Sequence, residues 1–347
     1  SVGTTLSPHV SRFNERVRIN GAEADDELLC CAFAAIDAQR NDLPLTYFEF
    51  SALAALWCFK QQNVEVCILE IGLGGRLDAF NVIDADIAVI TSIGLDHQQF
   101  LGETREAIGT EKAGILRPHQ TVVFGPDMPE SVFQAAVQLS LQPIVLDDAW
   151  EIRADAKNGT WDLYENDQCH LNTQHYHQCS PQNLVIAYLA TRCLTDAPVS
   201  VISEVNSALQ MPGRMQQRVL NGRRIVLDVA HNPAAAAFLA REMAQRNWHP
   251  KQIVCGMLRD KDHAGVYAAI ATHTRAPWWL LDTDGERGLT GLELRKRLPS
   301  TSPAEPISWD NLMSELSTAT QSGDVILVFG SFDLVARVNE LININIT

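Results

Sequence analysis

Cys67-Ile68-Leu69-Glu70-Ile71-Gly72-Leu73-Gly74-Gly75-Arg76-Leu77-Asp78 is the stretch on which the fold reading turns. The short apolar run of residues 64–71 reads as a buried strand, and it runs directly into an acid and a glycine-rich turn. In open α/β sheets the carboxyl ends of the strands are where ligands bind, so Glu70 stands at a position suited to a metal or a substrate. A carboxylate there is costly unless it meets a cation; pairing with Arg76 or capping a neighbouring helix is the alternative. Gly72, Gly74 and Gly75 imitate part of a dinucleotide fingerprint, but Leu77 occupies the place of its third glycine, which weakens a nicotinamide reading.

The same pattern recurs downstream. Residues 87–93 form a second apolar run that ends in Leu95-Asp96-His97, and Glu111-Lys112-Ala113-Gly114-Ile115 closes a helical pattern over 104–116. His97 can ligate a metal or orient a carboxylate, and Ser7 sits in a Ser7-Pro8-His9 turn where its hydroxyl would be a weak ligand for a hard cation. If buried, Lys112 would have a depressed pKa and could react with carbon dioxide to form a carbamate.

Helical spacing over 25–40 and 46–61, then strands and helices alternating through 121–146, give the rhythm of a mostly parallel sheet. From about 150 to 180 the pattern becomes alternating around Asn158-Gly159, which signals a small antiparallel patch. Helices follow over 181–194 and 199–209. Met211-Pro212-Gly213-Arg214 and Asn221-Gly222 then punctuate the chain, and strands and helices alternate again to the end. The expected organisation is an N-terminal domain over 1–211, a linker over 212–222 and a doubly wound, Rossmann-like domain over 223–347. In the latter, Asp228 ends a strand ahead of Val229-Ala230-His231-Asn232-Pro233, well placed for a phosphate, a ribose or a metal-bound water, or as a helix cap.

Composition agrees with this frame. A chain of 347 residues with 46% hydrophobic and 20% charged residues has apolar material for two cores. A net charge of -15, without clustered Lys and Arg, argues against a nucleic-acid partner. No apolar run reaches membrane-spanning length. The eight cysteines show no C-x-x-C spacing, so buried free thiols in a cytoplasmic protein are expected. Cys169, His170, His175, His177 and Cys179 match no common zinc pattern. No G-x-x-x-x-G-K-[ST] phosphate loop occurs anywhere in the chain.

Taken together the motifs resemble the dihydrofolate synthase/folylpolyglutamate synthase family, relatives of the Mur peptide ligases. The resemblance rests on Ser7-Pro8-His9, Arg12-Phe13-Asn14-Glu15-Arg16, Thr46-Tyr47-Phe48-Glu49, the stretch from Leu69 to Asp78, Leu95-Asp96-His97, Glu111 to Ile115, Pro212-Gly213-Arg214, Asp228 to Pro233 and Asp260-Lys261-Asp262, in that order along the chain. It implies an ATP-dependent ligase of the cytoplasm, a monomer, that adds L-glutamate to dihydropteroate or to reduced folates through an acyl phosphate. It also implies a P-loop-type ATPase-like N-terminal domain and two Mg2+ ions, with Ser7, Glu70, His97 and a carbamylated Lys112 as metal ligands and Glu70, His97 and Lys112 as the catalytic set. By the same resemblance Thr46, Tyr47, Phe48, Glu49, Arg76, Leu77 and Asp78 would contact the pterin substrate, and Asn183, Arg214 and Asp228 would contact ATP. Residues 11–17 correspond to a loop that is mobile in the family, and Phe80 stands where the family more often has a small polar residue.

Family members begin with a strand, a phosphate loop and a helix, whereas this chain opens at what corresponds to the next strand, residues 1–5. The expectation is therefore an incomplete chain with little or no ligase activity as it stands. The alternatives are a non-catalytic folate- or nucleotide-binding paralogue and a Mur-type ligase of cell-wall precursors.

Overall fold

The computed structural model describes residues 1–155 and 157–346, which pack as two compact units, Ser1–Pro143 and Ile144–Thr347. In the first unit the strand Val2–Thr5 pairs in parallel with Val66–Ile68 on one edge and antiparallel with Val17–Ile19 on the other, and Ala22–Glu23 adds a fourth strand. The helices Asp26–Arg40 and Tyr47–Gln61 supply a core with Leu29, Ala32, Ile36, Ala54, Ala55, Cys58 and Phe59, which meets Val17 from the sheet. Gly3 permits this packing: a Cβ there would lie 2.6 Å from the Phe59 ring.

Elsewhere in the same unit, Ile87–Ile90 pairs in parallel with Thr121–Phe124. Val66–Ile68 and Ile87–Ile90 are therefore both terminal strands, each with one edge unpaired among the described residues. This corrects the expectation of a buried strand before Glu70. Cys67 is exposed and Ile68 is 54% exposed, because the run pairs on one edge only.

The second unit opens with the expected antiparallel patch, Trp150–Asp155, Thr160–Glu165 and Gln168–His175. The helices Pro181–Arg192 and Val201–Ala208 follow. A six-stranded sheet comes next, ordered Gln216–Leu220, Arg223–Asp228, Val325–Phe329, Pro250–Cys255, Trp278–Leu280, Ala304–Pro306. Only its first pair is antiparallel; the rest are parallel, as a doubly wound sheet requires. The core of this sheet gathers Val226, Leu239, Met243, Ile253, Trp278, Leu327 and Phe329.

Two boundaries differ from the sequence expectation. The compact units divide at 143/144, and the stretch 212–222 contains the strand Gln216–Leu220. Asn221-Gly222 is the two-residue turn of a hairpin to Arg223–Asp228, with both residues at positive φ, 50° and 76°. The cysteines differ as well: all eight are free, but only Cys58 and Cys255 are buried.

Candidate functional site

In the first unit, strand ends bring Ser7 and Glu70 together. The backbone N–H of Ser7 donates to Glu70 Oε2 at 2.5 Å, and the Glu70 N–H donates to Thr5 Oγ1 at 2.8 Å. The carboxylate is thus tied to the end of the neighbouring parallel strand, with its side chain on the exposed side. His97 lies beyond Ile87–Ile90 in the left-handed region, φ 49°, where it opens the short helix Gln98–Leu101. Its N–H donates to Asp96 Oδ1 at 2.7 Å, and its Nε2 stands 3.8 Å from Asp96 Oδ2. Lys112 is half-buried in the helix Arg105–Ala113; burial pulls its ammonium below the usual lysine range and the charge of Asp96 opposes this in part.

The turn between Glu70 and Asp78 is set by its own last residue. Asp78 Oδ2 accepts the N–H groups of Gly72 and Leu73 at 2.9 and 3.1 Å, while Oδ1 accepts that of Phe80 at 2.9 Å. Arg76 Nη2 and Nε grip Glu111 Oε1 at 2.9 and 3.1 Å, and the Arg76 N–H donates to the Glu111 carbonyl at 2.9 Å. Asn81 Nδ2 bridges the carbonyls of Arg76 and Gly114 at 3.0 and 3.1 Å, and Arg117 Nη2 holds Asn81 Oδ1 at 2.9 Å. A Cβ on Gly75 would lie 2.8 Å from the Lys112 carbonyl, so the turn runs directly against the helix that carries Lys112. Leu77 is left 80% exposed at its tip.

The residues 46–49 divide their work. Thr46 and Glu49 form a reciprocal capping box, with Glu49 Oε2 accepting the Thr46 N–H at 2.7 Å and Thr46 Oγ1 accepting the Glu49 N–H at 3.2 Å. Tyr47 is 62% exposed, with the Arg16 guanidinium 5.2 Å from its ring centroid and Phe13 edge-on at 6.2 Å. Phe48 lies against Gly72, where a Cβ would come within 2.5 Å of its ring, and meets buried Phe80 edge-on at 5.8 Å. The segment before them is fixed by Glu15, whose carboxylate accepts the N–H groups of Val10, Ser11 and Arg12 at 2.8, 2.7 and 2.8 Å.

In the second unit Asp228 is buried at the end of Arg223–Asp228 and spends both oxygens on backbone: Oδ2 accepts Met215 N–H and Oδ1 accepts Ala230 N–H, each at 2.9 Å. Burial pushes this carboxyl above the usual aspartate range; the two N–H groups and the charge of Arg214 counter it. The helix cap is Asn232, whose side chain accepts the Ala235 N–H at 2.8 Å. Arg214 is exposed, with its guanidinium 5.9 Å from the Phe332 ring. Asn183 is exposed in the first turn of Pro181–Arg192, and its N–H bonds the cap Ser180 Oγ at 3.2 Å.

Among the described residues no three His, Cys, Asp or Glu side chains form a ready-made cation site, and this covers the segment 169–179. There His170 faces Glu165 at 3.3 Å and tilts over Trp150. Asn81, Arg117 and Gln178 are framework groups that sequence reasoning missed, and Asp96, though part of the Leu95-Asp96-His97 motif, carries a charge effect on Lys112 that it also missed. Their roles depend on partners 15 or more residues away or on backbone acceptors, which no local motif encodes; Arg117, for one, reaches back to Asn81. No described helix is long and apolar enough to cross a membrane.

The Mur ligase middle domain matches residues 42–173, and the Mur ligase, glutamate ligase domain matches residues 213–332. The dihydrofolate synthase/folylpolyglutamate synthase of Haemophilus influenzae is 39% identical over 97% of this chain and 81% of its own length. E. coli FolC in complex with DHPP and ADP superposes with a TM-score of 0.89 at 34% identity, covering all of this chain and 83% of that one. The bifunctional folylpolyglutamate synthase/dihydrofolate synthase of Yersinia pestis, complexed with AMPPNP and Mn ion, gives 0.87 at 38% identity, over 99% of this chain and 82% of that one. The chain belongs to the dihydrofolate synthase/folylpolyglutamate synthase family of Mur-type ligases.

Proposed function

We propose that this chain serves an ATP-dependent amide ligase that joins L-glutamate to dihydropteroate, to reduced folate polyglutamates, or to both. The observation that carries the reading is the pairing of Ser7 with Glu70 at adjoining strand ends, in a chain that also holds a desolvated Lys112 beside Asp96. The substrate carboxylate oxygen would attack the γ-phosphorus as the bond to the ADP oxygen breaks. The amine of glutamate would then add to the acyl carbon, lose a proton and expel inorganic phosphate through a tetrahedral intermediate.

A divalent cation fits the donor set, because Glu70 and Ser7 offer hard oxygens and His97 an imidazole. We assign one Mg2+ to Ser7, Glu70 and His97, and a second to Lys112 as its carbamate. Magnesium bound there would neutralise the phosphate charge. The depressed basicity of Lys112 favours the neutral amine that can add to carbon dioxide.

Tyr47, Phe48 and the turn Arg76-Leu77-Asp78 would receive the pterin: Tyr47 and Leu77 present exposed apolar surface, while Thr46 and Glu49 hold the helix start that positions them. Arg214 and Asn183 would contact ATP directly. Asp228 would act by holding the backbone at Met215 and Ala230. We read the change from the N-terminal domain to the ligase domain as falling near residue 212, just before the ligase-domain match begins, and the protein as a cytoplasmic monomer.

The test is incorporation of labelled L-glutamate by the purified protein, with ATP and Mg2+, into dihydropteroate, a reduced folate or a nucleotide-linked muramyl substrate. Incorporation into either of the first two supports the proposal. Incorporation into the third alone assigns the chain to cell-wall synthesis, and binding of substrate without turnover to a non-catalytic role.

A further inference from the structure

The turn from Met211 to Met215 presents Arg214 and is held mainly by groups outside it. Gln178 makes three bonds to it: Nε2 donates to the carbonyls of Met211 and Arg214, each at 3.0 Å, and Oε1 accepts the Met211 N–H at 2.8 Å. The middle of the turn is satisfied by Gln216 Oε1, which accepts the Gly213 N–H at 3.0 Å, and by the Val229 N–H, which donates to the Gly213 carbonyl at 2.9 Å. Asp228 takes the Met215 N–H. Gly213 and Met215 both stand at positive φ, 67° and 44°, so the bend depends on these bonds for its shape.

Gln178 lies farthest along the chain from the turn, and its own segment is anchored. The neighbouring His177 carbonyl accepts from Arg246 Nη2, whose Nη1 pairs with Glu242 at 2.6 Å; those side chains are 3% and 4% exposed. The Arg246 guanidinium also lies over the rings of Tyr176 and Trp248, at 5.2 and 5.6 Å. A buried ion pair thus fixes the segment from which a single amide clamps both ends of the Arg214 turn.

We propose that Gln178 is a positioning residue for Arg214, setting the reach of its guanidinium toward the phosphates of a bound nucleotide. This rests on the reading of Arg214 as a nucleotide contact. Gln178→Met keeps the side chain's length and removes all three bonds.

The experiment is a double-mutant cycle on ADP affinity, measured by calorimetry with Gln178→Met, Arg214→Ala and the double variant, alongside thermal unfolding of each. Each single variant is expected to weaken ADP by about tenfold, and the double variant no further than Arg214→Ala, because coupled residues do not add. A residue that merely holds the domain together would weaken ADP again in the Arg214→Ala background, and that result overturns the proposal. Unchanged affinity in Gln178→Met with weakened affinity in Arg214→Ala also overturns it and leaves the nucleotide role of Arg214 standing. Unchanged affinity in Arg214→Ala overturns the nucleotide reading, and with it the purpose assigned to Gln178.

Discussion

Arg76 and Glu111 are joined twice, through a forked side-chain ion pair at 2.9 and 3.1 Å and through a backbone bond at 2.9 Å, which ties the glycine-rich turn to the helix bearing Lys112. A lysine offers a point charge in place of the fork, so Arg76→Lys is not conservative here. The pair is partly exposed, and its loss should cost only about 0.5–1 kcal/mol of stability. The larger effect is expected on turnover. Arg76→Lys should reduce kcat/KM for the pterin substrate by about tenfold with little change in Tm, read by steady-state kinetics and calorimetry.

Gly114 lies on the other side of the same contact, where an added Cβ would sit 2.4 Å from Arg76 Cβ and 2.7 Å from its Cα. The obstruction includes backbone, which cannot swing away. Gly114→Ala should therefore destabilise the protein by about 1–3 kcal/mol, seen as a lower denaturation midpoint at unchanged slope.

Glu15 gives the first unit a dependence on acid. Burial works to raise its carboxyl pKa, but the N–H groups of Val10, Arg12 and Ser11 together outweigh burial and hold it below the usual 4.5. A group whose folded pKa is depressed contributes stability above its unfolded pKa and loses it as pH falls through the folded value. Unfolding measured from neutral pH downward should show that loss beginning near 4.5 and continuing below it. Glu15→Gln should be less stable at neutral pH and should flatten this part of the profile.

Asp228→Asn separates scaffold from ligand. The amide can replace one of the two acceptor oxygens and leaves the second N–H, at Met215 or Ala230, facing a donor. A loss of about 1–3 kcal/mol follows from one unsatisfied buried group. Because burial raises the pKa of this carboxyl, substitution should also remove a proton uptake that the folded state favours. Proton release on unfolding, measured by comparing calorimetry in two buffers, would detect it.

The elements that were legible in the sequence carry their own signals. Helical spacing over 46–61 marks a helix, and the structure has the helix Tyr47–Gln61, opened by a Thr46–Glu49 capping box. The run Thr121–Phe124 and the antiparallel patch over Trp150–His175 fall where alternation places them. What escaped depends on distant partners. Ile68 reads as core, yet its exposure is decided by which strand lies beside it. Asn221-Gly222 reads equally well as a boundary or a hairpin turn, and only the pairing of Gln216–Leu220 decides. Short strands such as Val17–Ile19 and Ala304–Pro306 have too few residues to show a period. Within the site, Glu70 stands out from its strand-end context and Lys112 only through the family resemblance, whereas the charge of Asp96 acting on Lys112 and the bonds of Gln178 to the Arg214 turn emerge only in three dimensions.

Glu70 and Lys112 are proposed to serve phosphoryl transfer to a folate-type carboxylate. The measurement is the incorporation of labelled L-glutamate into dihydropteroate and a reduced folate by the unsubstituted protein, Glu70→Gln and Lys112→Met. With a phosphate loop present on the chain, ATP-dependent amide formation is expected without substitution, a loss of at least about a hundredfold in both variants, and a carbamate signal at Lys112 under isotopically labelled carbon dioxide. Wild-type rates in either variant would contradict it.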